Sequence, residues 1–183
     1  MYMRHAVASL ALAALVAAPV GAAQARQQSP DAAYMKLIRR AAPPQVVRNA
    51  TIVRMDDGKM QTLKQGTNGF TCMTLKDGTP MCADANAMAW GQARLDHKPP
   101  PDTIGFIYML AGDHGTSNTD PYATKPEPGN HWVQDGPHVM IVGGAVKEMI
   151  AGYPATPDPN IKEPYVMWPG TPYQHLMLPV SRR

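Results

Sequence analysis

Motifs that identify common classes of enzyme are missing from this chain of 183 residues. It contains no GxGxxG loop, no Walker A loop, no GxSxG and no HExxH, so it shows no sign of a nucleotide-binding fold, a serine hydrolase or a zinc protease. Charge is also sparse, with 17 basic and 14 acidic residues dispersed along the chain. Such a dispersed balance predicts neither a nucleic-acid partner nor a polybasic membrane patch.

Beyond residue 25 the chain has no apolar run long enough to cross a membrane, which needs about 20 residues. The first 25 residues instead have the three parts of a secretory signal peptide. A basic head at Arg4 precedes the apolar run Ala6–Ala18, and Ala23-Gln24-Ala25 offers small residues to a signal peptidase. We therefore expect a signal peptide at 1–25 and a single exported globular domain at 26–183, periplasmic or secreted, with no membrane association after cleavage.

Cysteine is scarce, and the two cysteines, Cys72 and Cys82, flank Lys76-Asp77-Gly78. A three-residue hairpin loop with glycine in the left-handed position would set the two cysteines directly opposite each other. In an exported chain this arrangement predicts a disulfide. The alternatives are a metal-thiolate pair or a redox pair, but the spacing matches neither the CxxC motif nor common zinc sites.

Proline and methionine are abundant, with 19 and 13 residues, whereas phenylalanine occurs only twice. Fourteen of the prolines lie from Pro99 onward, and proline disrupts both helix and broad sheet. The composition predicts an α+β fold: short antiparallel hairpins and two to three short helices, followed by a loop-rich, proline-rich second half. The methionines can fill an irregular core.

The local patterns place the elements more closely. Helices are expected from Pro30 to the Pro43-Pro44 pair, from Asp84 to about Asp96, and over Ala145–Ala151. Strands are expected in the segments with alternating or continuous apolar residues: Val46–Met55, Met60–Lys64, Phe70–Leu75, Thr79–Cys82, Thr103–Leu110, Pro137–Val142, Tyr165–Trp168 and Tyr173–Val180.

The long polar segment 112–137 and the strand after it carry the first group of residues that could perform chemistry. Histidines and carboxylates gathered on a long loop can perform acid–base work or bind a divalent metal. The catalytic candidates there are Asp113, His114, His131 and His138. The competing interpretation is that the aspartates serve turns, as in Asp135-Gly136, and that the histidines are idle.

A second group lies on two expected strands that share a short pattern, His138-Val139-Met140-Ile141 and His175-Leu176-Met177-Leu178. Residues two apart point to the same side of a strand, so each strand shows a His/Met face. If the strands are neighbours in register, His138 lies near His175 and Met140 near Met177. Imidazole and thioether together suit Cu(I), so these four residues form a candidate copper site, with core filling as the alternative.

Over these eight residues the paired histidine strands resemble those of the two-histidine phosphoesterases. That family has serine or threonine where this chain has Met140 and Met177, and those hydroxyls hold the phosphate. The resemblance therefore does not imply phosphoesterase activity for this chain.

Three functional hypotheses follow, and whether the protein is an enzyme stays open. The first is a non-catalytic exported domain that binds an unknown protein or a small ligand. The second is a soft-metal protein that binds copper through its His/Met pairs. The third is a hydrolase that uses the loop His and Asp residues. A flat apolar patch would favour the first hypothesis, surface His and Met the second, and a deep pocket lined by His114, His131 and His138 the third.

Overall fold

A computed structural model describes residues 30–180, and the predicted signal segment 1–25 lies outside them. A mixed eight-stranded sheet and a few short helices confirm the α+β expectation. The helices are α1 (Pro30–Ile38), α2 (Pro44–Asn49), α3 (Ala85–Leu95) and a 3-10 helix (Gly144–Gly152). The strands are β1 (Thr51–Asp56), β2 (Lys59–Lys64), β3 (Phe70–Thr74), β4 (Pro80–Asp84), β5 (Gly105–Met109), β6 (Thr116–Ser117), β7 (Trp132–Val133), β8 (His138–Val142), β9 (Tyr165–Met167) and β10 (His175–Pro179).

The main sheet has the strand order β2-β1-β3-β4-β5-β8-β10-β9. Only β1 and β3 run parallel, and every other neighbouring pair is antiparallel. The two-residue strands β6 and β7 pair with each other inside the long segment between β5 and β8. Strands from both halves of the chain therefore share one sheet.

The β3–β4 hairpin carries the predicted disulfide. Cys72 and Cys82 are register partners and are bonded to each other. The loop between the strands places Gly78 in the left-handed region at φ 85°, and the Asp77 carboxylate accepts from the Thr79 amide at 2.9 Å. Closing so short a loop should stabilise the fold by about 2–3 kcal/mol.

The strand expected over Val46–Met55 is wrong in its first half. Pro44–Asn49 is the short helix α2, and β1 begins only at Thr51. Pro44 occupies the first turn of that helix, where its fixed φ is already helical and its missing N–H costs nothing. The β-rich composition of the segment is outweighed by this helix start.

Asp84 joins three elements at the centre of the fold. One oxygen of its carboxylate caps α3 by accepting from the Ala87 amide at 2.8 Å, and the other accepts from the Phe106 amide of β5 at 3.1 Å. The helix lies so close to β5 that a Cβ on Gly105 would meet the Ala87 nitrogen at 2.3 Å. Glycine at this position is what permits the close packing of helix on strand.

The two faces of the sheet are covered differently. On one face α3 packs over β3, β4 and β5, and its Trp90 enters a core of methionine and aromatic side chains. On the opposite face α1 and α2 contribute to a core over the disulfide. The 3-10 helix forms a separate core with β9 and β10 on that same face. The strands β5 and β8 lie between these two covered regions.

Candidate functional site

Asp113 and Asp135 close the base of the long segment between β5 and β8. One carboxylate oxygen of Asp113 accepts from the amides of Gly115 at 2.9 Å and Asp135 at 3.0 Å. The Asp113 amide in turn donates to the Asp135 carbonyl at 3.0 Å. The hydrogen bonds of Asp113, one of the predicted catalytic residues, thus hold the loop together.

Asp135 itself is buried, with 3% of its surface exposed. Its Oδ2 accepts from the Tyr165 hydroxyl at 2.8 Å, and its Oδ1 is buried without a hydrogen-bond partner. Burial raises the pKa of Asp135 to about 6, although the Tyr165 hydroxyl and a charge on His138 act in the opposite direction. Burial likewise raises the pKa of Asp113. Asp135, Tyr165 and His138 are therefore buried polar neighbours, and Asp113 is half-buried beside them.

The remaining catalytic candidates lie elsewhere. His114 is exposed, with its Nδ1 at 3.3 Å from the Thr79 hydroxyl beside the β3–β4 turn. His131 has its Nδ1 at 2.9 Å from an Asp158 carboxylate oxygen. His114, His131 and His138 thus each hydrogen-bond to a different partner, and catalysis by Asp113 and these three histidines stays a prediction.

The register of β8 and β10 sets the positions of the predicted copper ligands. Met140 is opposite Met177, as expected for neighbouring strands, but the strands are antiparallel and His138 faces Pro179. Continued by one residue, the same alignment brings Val142 opposite His175. Four residues of strand, or about 13 Å, then separate the backbone positions of the two histidines. Copper binding by His138, Met140, His175 and Met177 stays a prediction.

Each of these histidines is buried and fixed by the same local hydrogen bond. His138 donates from Nδ1 to the Gly136 carbonyl at 2.7 Å, and His175 donates from Nδ1 to the Tyr173 carbonyl at 2.9 Å. Because a carbonyl can only accept, the proton of a neutral ring must lie on Nδ1. The lone pair of each neutral imidazole is therefore on Nε2.

His175 has the more unusual surroundings. Its ring packs in a T-shaped arrangement against Trp90 and Trp168, with ring centroids 5.2 Å and 4.9 Å apart. The two indoles stack on each other with their centroids 5.9 Å apart. The side chain is fully buried, and its Nε2 has no hydrogen-bond partner. Burial lowers the pKa of His175 to about 4, so the ring is neutral near pH 7.

This aromatic cluster was missed at the level of sequence. Trp90 is on α3, Trp168 follows β9 and His175 begins β10, so no short motif joins them. The available signal was the spacing Tyr165-x-Met167 beside His175-x-Met177, which puts four large side chains on one face of two adjacent strands. The register confirms that His175 is opposite Met167 and Met177 opposite Tyr165.

An apolar strip lies on the other face of the sheet, between the layer formed by α1 and α2 and the 3-10 helix. It consists of Phe106 and Tyr108 on β5, Val139 and Ile141 on β8, and Leu178 on β10. Phe106 is paired with Ile141, and Tyr108 with Val139, so their side chains share one face. Phe106 remains 42% exposed, and the other four are half-buried. Tyr108 packs partly against the core under α1 and α2, and Ile141 and Leu178 pack partly against the core of the 3-10 helix.

Two clefts are lined neither by the histidines nor by the residues of the strip. One, of about 380 Å³, is bordered by Gly143, Lys147 and residues 170–172. The other, of about 420 Å³, is bordered by residues of the 119–130 segment, including Tyr122 and Lys125. Neither cleft is lined by any of the predicted catalytic or metal-binding residues.

Within residues 30–180 no group of three or more His, Cys, Asp and Glu side chains is arranged to hold a metal ion. No helix in the same part of the chain combines the length and the apolar character needed to cross a membrane. No protein-family model matches the chain, and comparison with curated proteins and with solved structures gives no match either.

Proposed function

We propose that the protein is an exported, non-catalytic binding domain, and that its apolar strip binds an amphipathic helix of a protein partner. One observation carries this proposal: between the helical layers on this face, β5 and β8 present a row of apolar side chains that stay partly exposed, and Phe106 in the row is 42% exposed. The solvated face of an antiparallel sheet is normally polar, whereas this face is apolar, and a contiguous exposed apolar area is typical of an interaction surface.

The width of the strip fits a helix. Neighbouring strands lie about 4.8 Å apart, so β5 and β8, the two strands between the helical layers, span about 10 Å. An α-helix with its side chains is about 10–12 Å in diameter. The helices α1 and α2 lie on one side of the gap and the 3-10 helix on the other, so an added helix would complete the layer on that face.

A protein partner suits the strip better than a small molecule does. Small ligands are held in concave sites that enclose most of their surface, whereas the strip is formed by a sheet face, and the two clefts lie elsewhere. Side chains such as Phe106 and Ile141 can pack between the i, i+3 and i+4 residues of an amphipathic helix. Recognition of this kind requires no catalytic residue.

The charges beside the strip favour an acidic partner. Arg39 follows α1 and is exposed, and the carbonyl of nearby Ala41 accepts from the amide of Leu110 at the end of β5. On the other side Lys147 is exposed on the 3-10 helix, next to Glu148. A helix with glutamates on its polar face can approach both basic side chains, which would favour its orientation and its rate of association.

This proposal predicts that an amphipathic Leu/Glu peptide of about 15 residues binds the protein, as measured by isothermal titration calorimetry. Phe106→Asp and Ile141→Asp should each weaken binding at least tenfold, or about 1.4 kcal/mol, because a carboxylate enters the apolar contact. Leu95→Asp is the matched control. Leu95 is 61% exposed on α3, on the other face of the sheet, and its replacement should leave the affinity unchanged.

Two results would overturn this assignment of the surface. One is peptide binding that Phe106→Asp and Ile141→Asp leave intact, and the other is an equal loss in Leu95→Asp. A Leu/Lys peptide of the same length tests the charge argument separately, since the basic flanks should make it bind more weakly than the Leu/Glu peptide.

A further inference from the structure

The buried face around His175 carries a second inference, independent of the strip. We propose that His175, Met167 and Met177 form a three-coordinate site for Cu(I), enclosed by Trp90 and Trp168. This set differs from the one that the sequence predicts, because the antiparallel register moves His138 away and brings Met167 of β9 opposite His175.

The nitrogen of the site is already prepared for a metal. His175 donates its only proton of the neutral state through Nδ1 to the Tyr173 carbonyl, so Nε2 presents its lone pair. That atom is buried without a partner, although buried polar atoms in native structures nearly always have one. A metal ion would satisfy Nε2 without displacing a proton. The hydrogen bond on Nδ1 is the usual way in which a metal-binding imidazole is oriented.

Strand geometry supplies the two thioethers. Met167 is the register partner of His175, and side chains of directly opposite residues start about 5 Å apart. Met177 is two residues further along β10 and therefore on the same face. Both methionines are 1% exposed. Their flexible side chains can move the sulfur atoms toward a shared ion without a preformed cavity.

The ligands of this site and the two tryptophans around it favour Cu(I), a soft monovalent ion, over other metals. Thioether and imidazole are ligands that select Cu(I), whereas hard cations require oxygen ligands. The indole N–H of Trp90 is buried without a partner, but an N–H group offers no lone pair, so neither tryptophan competes as a ligand. Their rings exclude water and can contact a cation through their π faces. Coordination adds the ion to existing lone pairs, so no electron or proton is transferred.

The experiment is an anaerobic titration of the purified protein with Cu(I) in competition with a colorimetric chelator, with tryptophan fluorescence recorded in parallel. The expected result is one Cu(I) per chain and quenching of the fluorescence, because two tryptophans adjoin the site. Met167→Leu and Met177→Leu should each weaken binding at least tenfold, and His175→Phe should abolish it. Met109→Leu is the control, since Met109 belongs to the same core but lies on β5, opposite His138.

Exchange of methionine for leucine conserves volume and usually costs less than about 1.5 kcal/mol, so the methionine variants keep the test valid if His175→Phe fails to fold. Absence of stoichiometric Cu(I) binding would overturn the proposal. Binding that both Met167→Leu and Met177→Leu leave unchanged would do so as well, and so would an equal loss of affinity in Met109→Leu.

Discussion

Replacing Trp90 by alanine should lower the free energy of unfolding by about 3–5 kcal/mol, the range for truncation of a large buried aromatic. Trp90 is 3% exposed and contacts the rings of Trp168, Tyr173 and His175. Through Trp90, α3, which packs on β3, β4 and β5, also contacts the later segments around β9 and β10. The cavity left by alanine would be lined by the rings of Trp168, Tyr173 and His175. These rings belong to the segments of β9 and β10 and cannot all move to fill it.

Urea unfolding followed by circular dichroism measures this effect. Leu95→Ala is the matched control, because it truncates a large side chain on the same helix that is 61% exposed, and it should change stability by no more than about 0.5 kcal/mol. A loss in Trp90→Ala as small as that of the control would mean that the aromatic cluster does not hold the helix to the sheet. Trp90→Phe provides an intermediate case if the alanine variant does not fold.

Asp135→Asn should stabilise the protein at neutral pH and have a smaller effect in acid. Burial raises the pKa of Asp135 from 3.8 to about 6 in the folded state. At pH 7.5 the folded protein therefore holds an ionised carboxylate in a buried site, which lowers the free energy of unfolding. A shift of this size corresponds to about 3 kcal/mol. Near pH 4 and below, the folded carboxyl is protonated and this cost disappears. Asparagine carries no charge at either pH and can still accept from the Tyr165 hydroxyl.

The measured quantity is the difference in unfolding free energy between Asp135→Asn and the parent, taken at pH 4 and pH 7.5. This difference should rise by about 3 kcal/mol between the two conditions, as ionisation of the parent spans the region around pH 4–6. Asp102→Asn, at an exposed position before β5, should show no comparable change. The same difference at both pH values would show that Asp135 is not the source of an electrostatic cost.

The sequence predicted the features that depend on nearby residues. The three-residue loop with Gly78 indicated the register of Cys72 and Cys82. Asp84 was expected to begin a helix, which it caps, because a cap acts within a few residues. The error over Val46–Met55 arose because the strand propensity of this segment was weighed above the helix start at Pro44. Both kinds of inference concern local backbone geometry.

The arrangement of the candidate sites could not be read in the same way, because it depends on which strands become neighbours and in which direction. The repeated His-x-Met pattern indicated that Met140 and Met177 share a face, but it carries no information on strand direction. Antiparallel pairing separated His138 from His175 and placed Met167 opposite His175 instead. The strip could not be predicted either, since its residues come from three strands and their partial exposure depends on where the two helical layers end.

Residue-resolved NMR offers the most direct test of helix binding by the strip. Methyl spectra of the isotopically labelled protein would be recorded during titration with the Leu/Glu peptide. The methyl resonances of Val139, Ile141 and Leu178 should shift together and saturate at one peptide per chain. Those of Leu95 and Ile161, on the other side of the sheet, should stay in place. Saturable shifts confined to methyl groups outside the strip, or no shifts at all, would contradict the proposed function.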